Sequence, residues 1–151
     1  MAGPLEFSGE EDFRAPPAEV FAAMTDVRLI SECIPDLVSS NVVDGQTLEC
    51  VVRPGFSFLR GTLKVKIQIA DLEPPHRAVS RVESSGIGQS IRLVSQMEIT
   101  PIGEGSRLVW KAEVTERKGL VAAISPALIR GAADQIIRQS WGRIRTQLGE
   151  E

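Results

Sequence analysis

The chain has 151 residues, 42% of them hydrophobic and 25% charged, with a net charge of −3; these values are typical of one globular domain, predicted to span residues 1–151. Residues 1–50 carry ten acids and two bases, and the rest carries ten acids and fifteen bases. Without a dense basic run we expect no nucleic-acid partner, and without an apolar run of about 20 residues no membrane-spanning helix. The N-terminus lacks a signal-peptide pattern, so we expect a cytoplasmic protein.

The first third of the chain predicts a strand followed by two short helices. Residues 5–14 alternate apolar and polar side chains, and Gly9 among them predicts a bulge or a strong bend. Pro17 suits the first position of a helix, and Thr25 and Asp26 offer an N-cap for a second helix over residues 27–34. Cys33 lies in an apolar context and forms no paired motif with the other cysteine, so we expect two buried, reduced thiols.

Six more strands follow, and their short connections predict an antiparallel sheet. The predicted strands cover residues 37–43, 47–53, 61–72, 77–84, 89–100 and 106–117. Their alternation places one large apolar set on a single face: Leu63, Val65, Ile67, Ile69, Ile91, Leu93, Met97, Ile99, Leu108, Trp110, Ala112 and Val114. Residues 86–88 resemble the start of a dinucleotide fingerprint, but no third glycine or helix follows, and we predict a turn there.

A long amphipathic helix is predicted at the end of the chain, from Pro126 to Leu148 with Ser125 as its N-cap. It would be about 35 Å long at 1.5 Å per residue. Residues 119–124 are predicted to form a separate turn before it or a kinked extra turn, and most of its arginines fall opposite the apolar stripe. A strongly bent sheet can cover such a stripe. We therefore predict an α+β helix-grip fold: a curved antiparallel seven-stranded sheet wrapped around a long C-terminal helix, with two short helices after the first strand.

A grip of this kind leaves an apolar cavity where the helix and the sheet diverge. The residues that we expect to line it are Met24, Ile30, Cys33, Phe56, Phe58, Met97, Trp110, Ile124, Leu128, Ala132 and Ile136. Four serines could orient a ligand head group there or bond to the backbone instead: Ser80, Ser84, Ser95 and Ser140. Phe56 and Phe58 are flanked by Arg53 and Arg60, which is the composition of a membrane-touching flap, although both phenylalanines could equally fill the core.

Nothing in the sequence forms a recognisable catalytic or metal centre. His76 is the only histidine and lies in a predicted Pro-Pro turn. We expect it to be an exposed turn residue, and the alternative is that it acts as a general base on a ligand in the cavity. One histidine and two separated cysteines are too few for a metal site. We expect no catalytic residue, no metal and no cofactor.

Several stretches resemble the CoxG family, which takes its name from the CoxG component of carbon monoxide dehydrogenase and lies within the START, Bet v 1-like and polyketide cyclase superfamily. They are residues 13–21 (FRAPPAEVF), 31–35 (SECIP), 71–77 (DLEPPHR) and 133–135 (ADQ). The family pattern usually has glycine after the proline of the second stretch, and here Asp36 follows. Some family members continue into a Pro/Ala-rich tail and a hydrophobic anchor, whereas this sequence ends at Glu151; we therefore expect reversible rather than permanent membrane attachment.

The resemblance implies a non-enzymatic carrier of a hydrophobic small molecule, a lipid or an isoprenoid quinone. It also implies a link to a molybdenum hydroxylase such as carbon monoxide dehydrogenase, or transient contact with the inner face of the membrane. Two alternatives remain open at this point. A cyclase or hydratase would place a buried ionisable group in the cavity, and a protein–protein adaptor would have its cavity filled.

Overall fold

A computed structural model describes residues 5–55 and 61–150 of the chain. The strands are β1 (Leu5–Phe13), β2 (Leu37–Asp44), β3 (Thr47–Val52), β4 (Leu63–Glu73), β5 (Arg77–Gly86), β6 (Gln89–Ile102) and β7 (Gly105–Gly119). The helices are α1 (Pro17–Met24), α2 (Val27–Cys33) and α3 (Pro126–Gln147), with a 3₁₀ turn at Leu120–Ala123. These elements confirm the predicted α+β helix-grip fold.

One antiparallel sheet contains all seven strands in the order β1-β7-β6-β5-β4-β3-β2, so β1 and β2 are its edges. Apolar side chains of the predicted set point to its concave face, where Leu48, Ile99 and Leu108 have no exposed surface. The lysines of β4 alternate with them and point outward. The period of two in the sequence therefore gives the correct side for most strand residues.

Gly9 does not form a bulge, so that half of the prediction is wrong, and the strong bend stays a prediction. The pairing of β1 with β7 runs without a register shift from Leu5 opposite Val114 to Phe13 opposite Ser106. Gly9 lies opposite Trp110, and a Cβ atom built on Gly9 would come within 2.8 Å of Nε1 of that indole. The glycine is needed because the Trp110 ring covers it.

Helix starts and tight turns follow the local chemistry of the sequence. The Asp26 carboxylate accepts the backbone N–H groups of Arg28 and Leu29, and the Ser125 hydroxyl accepts that of Leu128 at 3.3 Å, which confirms both N-caps. Residues 86–88 form the predicted turn between β5 and β6. Asp36 adopts a φ of 59°, a conformation that glycine takes freely and that aspartate tolerates better than most residues.

Candidate ligand-binding site

The interior of the grip has a packed half and an open half. In the packed half, buried residues of α1, α2, the sheet and the end of α3 form one core, which includes Val20, Phe21 and Val27. In the open half, the concave face carries the half-buried side chains of Val65, Val82, Ile91, Leu93 and Val114, none of which belongs to that core. The open half is therefore the candidate site.

The two halves of α3 have different surroundings. Its C-terminal half supplies Ile144, which is 7% exposed, together with Trp141 and Leu148 to the core. Its N-terminal half supplies no core residue, and Leu128 and Ile136 are 47% and 40% exposed there. The apolar stripe predicted from the sequence is continuous, but only its second half packs against the buried core.

Arginine side chains attach α3 to the elements beside it. The Arg130 guanidinium donates to the Glu6 carbonyl at 2.8 Å and lies over the Phe7 ring. Arg145 donates to the Asp12 carbonyl at 2.7 Å and to the Glu11 carboxylate at 3.0 Å. These side chains flank the apolar stripe and fix the helix beside β1, because each bonds a group of that strand.

Arg143 anchors the other side of the helix. Its guanidinium donates at 3.0 Å to the carbonyl of Ile34, the residue that follows α2. Beyond the end of α3, the Glu150 carboxylate is buried and accepts the backbone N–H groups of Arg14 and Ala15 at 2.7 and 3.3 Å. The helix is thus anchored at its C-terminal end and along β1, whereas its N-terminal half borders the open space.

The residues predicted to line the cavity divide between the two halves. Five of them belong to the core or pack against it: Met24, Ile30, Cys33, Met97 and Trp110. Ile124 and Ala132 are half-buried, and Leu128 and Ile136 are exposed; all four lie outside the core, in or before the N-terminal half of α3. Phe56 and Phe58, with the predicted flap, lie outside the described residues. The lining set as a whole stays a prediction.

Polar groups on the concave face include two that the sequence did not single out, Gln89 and Arg117. Gln89 is 8% exposed, and its side-chain oxygen has no hydrogen-bond partner within the described ranges. Arg117 is half-buried and pairs with the inward-facing Ile91. The signal that could have revealed Arg117 is the polar run after Val114, which breaks the apolar alternation of β7.

Both cysteines are free and buried, as predicted. Burial raises the pKa of the Cys33 and Cys50 thiols, because a thiolate would be poorly solvated there. In residues 5–55 and 61–150, no cluster of three or more histidine, cysteine or acidic side chains could hold a metal ion. A groove of about 390 Å³ lies on the outer side of the sheet, lined mainly by outward side chains such as Arg77, Gln96 and Lys111. Three residues of the concave face, Ala78, Met97 and Trp110, also contribute to its lining.

The sequence pattern of a known family covers this architecture almost from end to end. The model of the CoxG component of carbon monoxide dehydrogenase matches residues 9–149. The chain belongs to the CoxG family. The predicted resemblance is thereby confirmed. None of the curated proteins compared with this CoxG-family chain matches it.

Solved structures share the fold of this CoxG-family chain at low sequence identity. A conserved protein from Geobacillus kaustophilus is 22% identical with a TM-score of 0.87, over 96% of this chain and 95% of its own. A START superfamily protein from Mycobacterium smegmatis is 10% identical with a TM-score of 0.71, over 96% and 97%. An uncharacterised protein from Rhizobium leguminosarum is 16% identical with a TM-score of 0.70, over 99% and 97%.

The family and the START-like fold are consistent with the binding of a hydrophobic small molecule. Of the helices in the described parts of this CoxG-family chain, none has both the length and the apolar character needed to cross a membrane.

Proposed function

We propose that this chain binds a hydrophobic small molecule, a lipid or an isoprenoid quinone, in the open half of its grip and carries it unchanged. The observation that carries this proposal is the unpartnered apolar surface on both sides of the open half. Ile91, Leu93 and Val114 face it from the sheet, and the half-buried Ile129 and Ala133 face it from α3; all five lie outside the core. Apolar surface left open inside a fold is stabilised by an apolar ligand, at about 25 cal/mol per Å² covered.

The chemistry of the open half favours a carrier over the two alternatives. An enzyme of the cyclase or hydratase type would need an acid or a base beside the ligand. The acids on or beside the concave face in the described chain, Glu11 and Glu150, lie at the packed end and are bonded to Arg145 and to backbone N–H groups. An adaptor would have its interior filled by its own side chains, and the half-buried Ile91, Leu93 and Val114, which lie outside the core, argue against that.

Native mass spectrometry of freshly purified protein tests the carrier. We expect a co-purified species with the mass of a lipid or a quinone, lost on delipidation and regained on incubation with the extracted molecule. Ala133→Trp should reduce this occupancy severalfold, because the half-buried Ala133 lies on the sheet-facing side of α3. Ala127→Trp is the matched control on the exposed side of the same helix. A protein that carries no apolar species and rebinds none would contradict the proposal.

We further propose that the cargo serves a molybdenum hydroxylase such as carbon monoxide dehydrogenase, and that loading takes place during transient contact with the inner face of the membrane. The description of the family supports the first part, and the exposed apolar residues at the open end support the second. The test is the carbon monoxide-dependent reduction of a vesicle-embedded quinone by a purified hydroxylase. We expect a faster rate when this chain is added, and an unchanged rate would contradict the link.

A further inference from the structure

A β-bulge in β7 reverses the side-chain alternation at the open end of the sheet. Leu93 pairs with Val114, but the preceding Arg92 pairs with Glu116, so Thr115 is an extra residue in β7. Its hydroxyl donates to the Arg92 carbonyl at 3.3 Å. Arg117 therefore pairs with Ile91 and lies on the concave face, whereas an uninterrupted strand would have placed it on the outer face.

The charge of Arg117 has no acidic partner in the described parts of the chain. Glu116, its neighbour, points outward and is bonded there to Arg92 at 3.2 Å and to Lys118 at 2.7 Å. Within residues 5–55 and 61–150, no carboxylate lies within the 4.0 Å of an ion pair with Arg117. Arg117 therefore brings a guanidinium without an acidic partner in those ranges to a face whose nearest strand neighbours include the apolar Ile91 and Leu93.

Gln89 lies next to Arg117 on the same face. Arg117 is opposite Ile91 and Gln89 is opposite Gly119, so the two side chains occupy diagonal positions, about 7–8 Å apart. Gln89 has glycines as both cross-strand neighbours, Gly86 and Gly119, and is more than nine-tenths buried. Its side-chain oxygen has no hydrogen-bond partner among the described residues. An amide in this position can turn either its oxygen or its nitrogen toward a ligand.

We propose that Arg117 and Gln89 bind the carboxylate of a long-chain fatty acid whose hydrocarbon tail occupies the open half of the grip. The proposal rests on the proposed carrier function and specifies the head group for the case in which the cargo is a lipid. A guanidinium binds a carboxylate through two parallel N–H···O bonds, and the amide N–H₂ group adds a third donor. One arginine matches the single charge of a carboxylate, whereas a phosphate dianion would require a second cation. The apolar residues beside Arg117, Ile91 and Leu93, suit the tail.

Titration calorimetry of delipidated protein with oleate and with oleyl alcohol, which have the same chain, tests this assignment. We expect the wild-type protein to bind oleate about tenfold or more tightly than the alcohol, as a charge-assisted contact requires. Arg117→Gln should remove that preference and leave the affinity for oleyl alcohol within twofold. Arg92→Gln makes the same chemical change on the outer face one residue pair away, and should alter neither affinity.

Gln89→Leu provides a second readout that a structural role would not produce. It should weaken oleate binding severalfold while raising the melting temperature, because it removes a buried polar atom without a partner. The head-group site would be overturned if the wild-type protein bound oleate and oleyl alcohol equally, or if the Arg117→Gln variant kept the preference for oleate. Neither result would contradict the carrier function. Binding of neither probe by the wild-type protein would overturn the carrier itself.

Discussion

Among single residues, Gly9 leaves no room for a side chain because the Trp110 ring lies against it. The Cβ atom of Gly9→Ala would lie 2.8 Å from the indole Nε1, which is closer than a real contact allows, and the large ring cannot move like the end of a flexible chain. We expect this substitution to lower the free energy of unfolding by about 1–3 kcal/mol, as overpacking does. Urea unfolding followed by circular dichroism measures the loss.

Trp110→Phe supplies the matching half of a double-mutant cycle. It removes the indole atoms that Gly9→Ala would strike, and with them an N–H group that has no partner in the described chain. The double variant should therefore lose less stability than the two single losses together. Strict additivity would show that the ring does not lie over the glycine.

The two buried thiols should make stability fall at alkaline pH. Burial raises the pKa of Cys33 and Cys50 in the native state, so the folded chain keeps both protons at a pH where the unfolded chain, near pH 8.5, loses them. Their contribution to stability is complete below the pKa of the unfolded thiols and is lost progressively as the pH rises from there through the raised native-state pKa values. Replacing both cysteines by alanine should flatten the alkaline limb of a melting-temperature profile. An unchanged slope would contradict the raised pKa values.

Within α3, matched isoleucine substitutions distinguish the packed half from the open half. Ile144→Ala should cost about 2–5 kcal/mol because Ile144 is 7% exposed and belongs to the core. Ile136→Ala, the same change two turns earlier at 40% exposure, should cost less than about 1 kcal/mol in the delipidated protein. Thermal unfolding of both variants measures the difference. Equal losses would mean that the helix is packed along its whole length.

The sequence predicted the elements and most of their sides because both follow from local periodicity and turn chemistry. It could not predict which half of α3 packs against the core. An apolar stripe shows that one side of the helix favours burial, but the residues that bury it come from distant parts of the chain. The bulge at Thr115 escaped for a related reason: one extra residue reverses the alternation, and it is defined by the pairing with β6 rather than by β7 alone. The position of Arg117, and with it part of the candidate site, depends on that pairing.

For the whole molecule, the exposed leucines at the open end are expected to determine contact with membranes. Leu120 is 57% exposed and Leu128 47% exposed, and the double variant Leu120→Ser/Leu128→Ser should bind anionic vesicles on the order of tenfold more weakly. Its melting temperature should stay within about 2 °C, as for other surface changes. Vesicle co-sedimentation provides the measurement.

A matched control is available on the edge strand β2, where Val38 and Val43 are 56% and 50% exposed. The double variant Val38→Ser/Val43→Ser removes a similar exposed apolar surface away from the open end. It should leave vesicle binding unchanged. If both double variants weaken the binding equally, the contact is a general effect of surface hydrophobicity and the open end has no special part in it.

The hydrogen bonds between the Glu150 carboxylate and the backbone of Arg14 and Ala15 have a consequence for how the protein is made. They join groups 136 and 135 residues apart, and β1 pairs only with β7. At roughly 5–20 residues per second, a ribosome takes about 7 to 27 s to synthesise the chain between them. Until β7 has been synthesised β1 has no strand to pair with, and until α3 follows the apolar side of the growing sheet has no long helix over it. We therefore expect the nascent chain to bind chaperones until α3 emerges.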